Sequence, residues 1–259
     1  MTTVMALANQ KGGVGKTTTA INLSDALARA GHDVLLVDVD PQANATAGLG
    51  ITASPGKTSY ELIAEEAKLA DVVVATERER LSIVPSTSDL AGAEVELAGA
   101  MAREYRLKRA LEGALESYRF VLIDCPPSLG LLTVNALAAA DEVIVPVQCE
   151  YLALEGLGQF TNTLELVRRN LNHQLVLRGL LLTMFDRRTT LSQQVADEVR
   201  KHFPNTFRTV IPRSVRLGEA PSHGLPIHAY DPRSTGSAAY DALAGEVLEA
   251  VGAIAEVAT

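Results

Sequence analysis

The chain has 259 residues, 47% hydrophobic and 21% charged, with no tryptophan, enough apolar material for one substantial core and too much for a disordered chain. A formal net charge of -8 excludes a surface that coats nucleic acid as a whole, and two cysteines exclude a disulfide framework and point to a reducing, cytoplasmic setting. No stretch approaches the roughly 18 to 20 uninterrupted apolar residues of a membrane span, so neither insertion nor secretion is expected.

Strand-length apolar runs recur at residues 4–8, 34–37, 81–84, 120–123, 143–147, 180–183 and 209–211. Helical patterns lie between most of them, notably 16–30, 104–117, 133–140, 154–170 and 191–202. This alternation predicts an α/β fold: a mostly parallel twisted sheet with helices on both faces and ligands beyond the carboxyl ends of its strands. Residues 1–259 read as a single domain. Its first strand leaves no room for an N-terminal helix-turn-helix module, and the Pro/Gly/Ser turns at 54–56 and 220–226 are loop-sized. The residues from Tyr240 onward form an apolar and acidic pattern without Lys or Arg.

The first strand runs into "NQKGGVGKTT", Asn9 to Thr18, and then into an amphipathic helical stretch. Glycines there let backbone N–H groups converge on phosphate oxygens, and the following helix offers its positive dipole end to them. Lys16 is placed to reach β- and γ-phosphates, and the Thr17 hydroxyl to coordinate Mg²⁺. Gln10 stands where the strict G-x-x-x-x-G-K-T template has its first glycine, and Lys11 is an additional cation.

The second strand ends in "LLVDVDPQANAT". Asp38 and Asp40, two apart in extended chain, project to one side, and two such carboxylates are costly to ionise unless a cation compensates. The residues alone also allow Asp40-Pro41 as a turn initiator. In "YRFVLIDCPPS" an apolar run ends in Asp124 before a proline pair, which fits a carboxylate holding Mg²⁺ mainly through water. Cys125 and Cys149 read as small buried residues, and the histidines show no metal-ligand spacing.

Between Arg168 and Arg216, ten Arg plus Lys stand against three Asp plus Glu, an asymmetry that suggests one basic face. Arg187, Arg188, Lys201, Arg208, Arg213 and Arg216 fall in that window. Ordinary solvated charge, or Arg213 used on a bound nucleotide, remains an equally open reading of the spacing.

The motifs "KGGVGKTT", "VDVDPQANAT", "MFDRRT", "IPRSVRLGEAPSHG" and "YDPRSTG" together resemble the deviant Walker ATPases of the ParA/MinD group, and most of all the ParA/Soj partitioning proteins. That resemblance implies an ATPase whose ATP and Mg²⁺ sit on Lys11, Gly12, Gly13, Val14, Gly15, Lys16, Thr17 and Thr18, with Pro212, Arg213 and more weakly Asp186 near the adenine. It implies that Lys11 reaches the nucleotide of the second subunit in an ATP-bound homodimer, with Gly12 leaving space for the partner's backbone. It also implies Asp38 in the outer shell of the metal, with Asp124, and Asp40 orienting or deprotonating the attacking water. Arg188 and Arg216 match positions used for nonspecific DNA binding. The implied function is segregation of chromosome origins or plasmids on the nucleoid, with hydrolysis stimulated by a ParB-type partner. The nearest alternative is a MinD-like membrane-associated ATPase, although the C-terminal segment lacks the cations that a membrane-surface helix carries, so no stable membrane association is expected. Small-molecule kinases or amidating enzymes of this fold, DNA-binding regulators and iron-sulfur reductases are the more distant alternatives.

Overall fold

The computed structural model describes residues 2–112, 115–150 and 153–257. Eight strands, β1 (Thr3–Leu7), β2 (Val34–Asp38), β3 (Val74–Ala75), β4 (Leu81–Val84), β5 (Phe120–Asp124), β6 (Glu142–Gln148), β7 (Val176–Phe185) and β8 (Thr206–Pro212), form one sheet in the order β3-β4-β2-β5-β1-β6-β7-β8. Every pairing is parallel except β3 with β4. The chain leaves β1 toward β2 on one side and reaches β6 on the other, so the carboxyl ends of β1, β2 and β5 open together in the middle of the sheet.

The two faces of the sheet carry separate cores, as period-2 alternation requires. Val4, Ala6, Leu35, Val37, Val121, Ile123 and Val145 pack on one side. Met5, Leu7, Leu36, Leu122, Ile144 and Leu181 pack on the other, under the helices Lys16–Arg29 and Thr235–Val257. Tyr240, fully buried, ties those two helices through a 3.3 Å hydrogen bond between its hydroxyl and that of Thr19.

The expected helices appear as Lys16–Arg29, Leu131–Ala139, Ala153–Asn170 and Thr190–His202. The expected helix at 104–117 is instead broken into a 3-10 turn Arg103–Tyr105, a helix Arg106–Leu111 and a second turn Leu115–Ser117. Buried Asn135 is one reason: its side chain accepts the Leu107 N–H at 3.1 Å and donates to the Arg103 carbonyl at 2.9 Å, substituting for bonds within a helix. Strand β7 is longer than the expected 180–183. Arg178 interrupts its apolar run but is paired with Glu142 of β6, so the ladder continues through a neutralised pair. The acidic, apolar C-terminal segment lies in the long helix Thr235–Val257.

A glycine pair closes the packing beside the site. Gly50 (φ 70°) and Gly224 (φ 67°) are both left-handed and meet backbone to backbone, so that a Cβ on Gly224 would lie 2.7 Å from Gly50 Cα. Gly224→Ala is therefore expected to cost at least about 1–2 kcal/mol of stability in urea denaturation. Gly245→Ala, with nothing within 4 Å of the added methyl, is expected to stabilise its helix by about 0.5–1 kcal/mol.

Candidate active site

The loop between β1 and the helix Lys16–Arg29 turns on two left-handed glycines, Gly13 (φ 73°) and Gly15 (φ 90°). Gly15 is the helix N-cap and brings no side chain to it, so the first-turn N–H groups remain available to an anion. Side chains pin the loop from three directions. Asn9 accepts the Lys11 N–H at 3.0 Å and donates to the Pro146 carbonyl at 2.8 Å. Gln10 donates to the Gly156 carbonyl at 3.1 Å and to Gln159 Oε1 at 3.0 Å, and Thr183 donates to the Val14 carbonyl at 2.8 Å. The residue that breaks the standard glycine template is thus a tether between the loop and the helix Ala153–Asn170.

Lys16 is 6% exposed and its ammonium donates to the Lys11 carbonyl at 3.2 Å. Removal from water lowers its pKa, and Asp124 and Asp40 oppose that shift. The three carboxylates named from sequence stand at the carboxyl ends of neighbouring strands: β2 and β5 run in register with Asp38 opposite Asp124, and Asp40 follows two residues on.

Their environments differ. Asp38, completely buried, accepts the Asp40 N–H at 3.1 Å, the Thr46 N–H at 2.9 Å and the Thr46 hydroxyl at 2.7 Å. Burial nevertheless pushes its pKa up to about 6. Asp40 accepts the Gln42 N–H at 2.9 Å. Asp124 is completely buried, and among the described residues no donor meets hydrogen-bond geometry at either of its oxygens, although Thr17 lies close by. Burial first, then the charge of Asp38, holds its pKa well above the usual carboxylate range, and nearby Thr17 and Lys16 only partly oppose this.

A hard divalent cation beside Thr17 and Asp124 fits this orphaned carboxylate. Among the described residues no group of three or more His, Cys, Asp or Glu side chains forms a metal cage by itself. That matches Mg²⁺, which takes one or two carboxylates and completes its shell with phosphates and water. Cys125 and Cys149 are buried free thiols, and burial raises the pKa of both, Cys149 to about 11.

A cleft of about 240 Å³ opens beside the loop, between Gly15 and Thr18 on one side and Pro212 and Arg213 on the other. It brings the residues expected near a base to the phosphate loop. Asp186 does not line it. The sequence reading missed Thr183, Met184, Leu217 and Tyr240, which do. Only the period of the last helix could have suggested Tyr240; nothing in the sequence marks the left-handed backbone of Met184 (φ 51°). A larger open groove of about 670 Å³, lined in part by Glu65, Lys68 and Arg109, contains none of the expected residues.

Arg188 and Arg216 lie on the surface in the segments after β7 and β8, 86% and 56% exposed in their side chains. Arg188 is held by both oxygens of Asp186, at 2.9 and 2.8 Å, which lowers the pKa of Asp186 to about 2. Arg216 pairs with Glu219 at 3.1 Å and Asp231 at 3.6 Å and lies over the Tyr230 ring. Arg208 pairs with Glu246 and Glu249, and Arg213 with Glu150. Arg168, Arg178, Arg208, Arg213 and Arg216 are thus paired with carboxylates from outside the 168–216 window, and Arg188 with Asp186 inside it, so part of the window's positive excess is neutralised in the fold.

The family model described as an AAA domain matches residues 2–177. The sporulation initiation inhibitor protein Soj of Bacillus subtilis (strain 168) is 56% identical over 94% of this chain and 97% of its own length. The chromosome partitioning protein ParA of Caulobacter vibrioides (strain NA1000 / CB15N) is 53% identical over 95% and 93%. Among solved structures, cobyrinic acid a,c-diamide synthase from Mycobacterium smegmatis, with bound ATP analog and magnesium, superposes with a TM-score of 0.85 at 40% identity, over 96% of this chain and 95% of that one.

The folded-state pKa of Asp124 lies above its unfolded value near 4. The carboxyl therefore leaves stability intact below about pH 4, and its ionisation weakens the metal-free fold as pH rises from there toward the folded-state pKa. In metal-free buffer Asp124→Asn is expected to raise the melting temperature at pH 7.5, with a gain that shrinks steadily toward pH 4 in scanning calorimetry.

Proposed function

The chain belongs to the ParA/Soj family of chromosome-partitioning ATPases, and on that premise we propose that it works as an ATP-driven switch on DNA. It binds ATP with Mg²⁺, pairs into an ATP-sandwich homodimer, grips DNA without sequence preference, and hydrolyses ATP under stimulation by a ParB-type partner. The observation that carries this reading is the unpartnered, fully buried Asp124 beside a buried lysine at the mouth of a glycine loop. Charge left uncompensated in that way is matched by Mg²⁺, while the lysine and the loop's N–H groups are left to meet a triphosphate.

Thr17 and Asp124 would hold the metal, with Asp38 acting through water because chain donors occupy both of its oxygens. Bound there, magnesium supplies neutralisation of the β- and γ-phosphate charge. Lys16 and the open N–H groups of the loop bind the phosphates, and the cleft at Pro212 and Arg213 takes the adenine. Asp40 orients the attacking water and receives its proton. The M. smegmatis structure, with its ATP analog and magnesium at 40% identity, supports the ligand assignment.

Lys11 projects from a loop anchored through Asn9 and Gln10, and it completes the pocket of the second subunit. Slow intrinsic turnover follows, since the transition-state charge is fully met only across the dimer. Arg188 and Arg216 serve the phosphate backbone of DNA. Both guanidinium groups are exposed, and ion pairs at the surface are weak, so exchange for phosphates costs little. Contacts of this kind position a protein without reading bases. The working location is the cytoplasm, on the nucleoid. A MinD-like membrane role finds less support, since the last turn of the final helix carries no cation of the kind a membrane-surface helix presents. Sedimentation with anionic liposomes and ATP distinguishes the two, and ATP turnover without any small acceptor separates both from an amidating enzyme.

Lys11→Ala is expected to bind ATP yet stay monomeric in light scattering with saturating Mg·ATP; normal dimers would remove its cross-subunit role. Asp40→Ala is expected to dimerise and remain on DNA with hydrolysis abolished. In a salt titration of DNA binding, wild type should bind with ATP but not with ADP. Arg188→Ala or Arg216→Ala should weaken binding to all sequences alike and reduce the log-log salt slope by about 1.

A further inference from the structure

We propose that Ser86 and Thr46 are positioning residues for Asp40, fixing its backbone through a closed ring of buried hydrogen bonds so that its carboxylate meets the attacking water. The inference rests on the hydrolytic reading above and adds to it Ser86, which no motif marks, and Thr46, which ends the "VDVDPQANAT" motif with no role of its own in that reading.

The β2–β4 pairing, with Val37 opposite Val84, brings the chain just past β4 alongside the segment that carries Asp38 and Asp40. There Ser86, 1% exposed, donates its hydroxyl to the Asp40 carbonyl at 2.8 Å. Its N–H donates to the Thr46 hydroxyl oxygen at 2.9 Å. Thr46, 3% exposed, donates that hydroxyl to Asp38 at 2.7 Å, and Asp38 accepts the Asp40 N–H at 3.1 Å. The circuit runs Asp40, Asp38, Thr46, Ser86 and back to Asp40, holding the N–H and C=O of one residue from opposite directions.

Every direction in the ring is determined. A carbonyl only accepts, so the Ser86 hydroxyl must donate to it; an ionised carboxylate only accepts, so the Thr46 hydroxyl must donate to Asp38 and is left to accept from the Ser86 N–H. The 3.5 Å contact from Ser86 to the Thr87 carbonyl is too long to compete. A ring with a single proton arrangement, closed by direct bonds of 2.7 to 3.1 Å, restricts where that backbone can sit. The Gln42 N–H then holds one oxygen of the Asp40 carboxylate. Among the described residues the second oxygen accepts no chain donor, which leaves it for water.

Removing the Ser86 hydroxyl leaves the Asp40 carbonyl with its other donor, the Ala43 N–H at 2.9 Å, so the fold survives while the placement loosens. Misplacement of a catalytic group on the ångström scale costs up to about 100-fold in rate. Nucleotide binding, which runs through the glycine loop, should not change. The test is single-turnover hydrolysis of Mg·ATP, with affinity for a fluorescent ATP analogue and the melting temperature measured on the same preparations. Ser86→Ala and Thr46→Val are expected to lower the hydrolysis rate at least tenfold with analogue affinity within twofold of wild type, while Thr46→Ser, which keeps the ring, retains near-normal turnover. A wild type that hydrolyses ATP alongside Ser86→Ala and Thr46→Val variants of unchanged rate overturns the ring's role alone. So does a rate loss matched by an equal loss of affinity, or a Thr46→Ser variant as slow as Thr46→Val. A wild type without any ATP turnover overturns the hydrolytic reading on which the inference stands.

Discussion

The whole site is organised around a shortage of positive charge. Asp38 and Asp124 face each other across a parallel ladder at the point where both are cut off from water, and a single buried lysine lies beside them. One carboxylate solves its problem locally, by accepting three donors from its own chain; the other does not solve it at all. Burying an unpaired carboxylate costs several kcal/mol unless it takes up a proton, so the resting protein carries a penalty that ligand binding relieves. A divalent cation beside these carboxylates supplies the positive charge that Lys16 does not.

What surrounds that point is built to keep it from relaxing. The glycine loop would be the softest part of the fold, yet Asn9, Gln10 and Thr183 tie it to β6, to the helix Ala153–Asn170 and to β7. The short helix Asn44–Gly48 is anchored at its middle to Asp38 through Thr46, and the turn after it is pressed against Gly224. That second contact joins the carboxylate-bearing segment to the stretch following Arg216. Neither Gly50 nor Gly224 can acquire a side chain without displacing the other's backbone, so the two segments are held at a fixed distance. Rigidity here is local and comes from named contacts, not from core burial alone.

The architecture and the chemistry-bearing residues were legible because each leaves a short-range signature. Buried parallel strands read as apolar runs, the glycine loop as a strand-to-helix switch, and Asp38, Asp40 and Asp124 as acids at strand ends. What escaped depends on partners distant in sequence. Arg178 hid half of β7 because its neutralising Glu142 is 36 residues away. Asn135 broke a helix from 28 residues off. Ser86 is 46 residues from the carbonyl it holds, and a serine following Val-Pro has no pattern of its own. The cleft beside the glycine loop was half legible: Pro212 and Arg213 came from a motif, whereas Met184 and Tyr240 line it through tertiary packing.

The charge count shows the same limit from the other side. A window with ten cations against three acids looks like a binding face, but a fold can bring carboxylates from anywhere, and here Glu142, Glu150, Glu246 and Glu249 all do so. What distinguishes these arginines from one another is therefore not charge but the worth of the pair each must give up. Arg178 is buried with Glu142 and cannot be released without stranding that carboxylate. Arg188 sits 86% exposed over an aspartate within two residues, and Arg216 over acids on its own surface turn; their pairs exchange with solvent ions at almost no cost. Arginines of the second kind carry a recruitable charge, one that anions at high local density can claim.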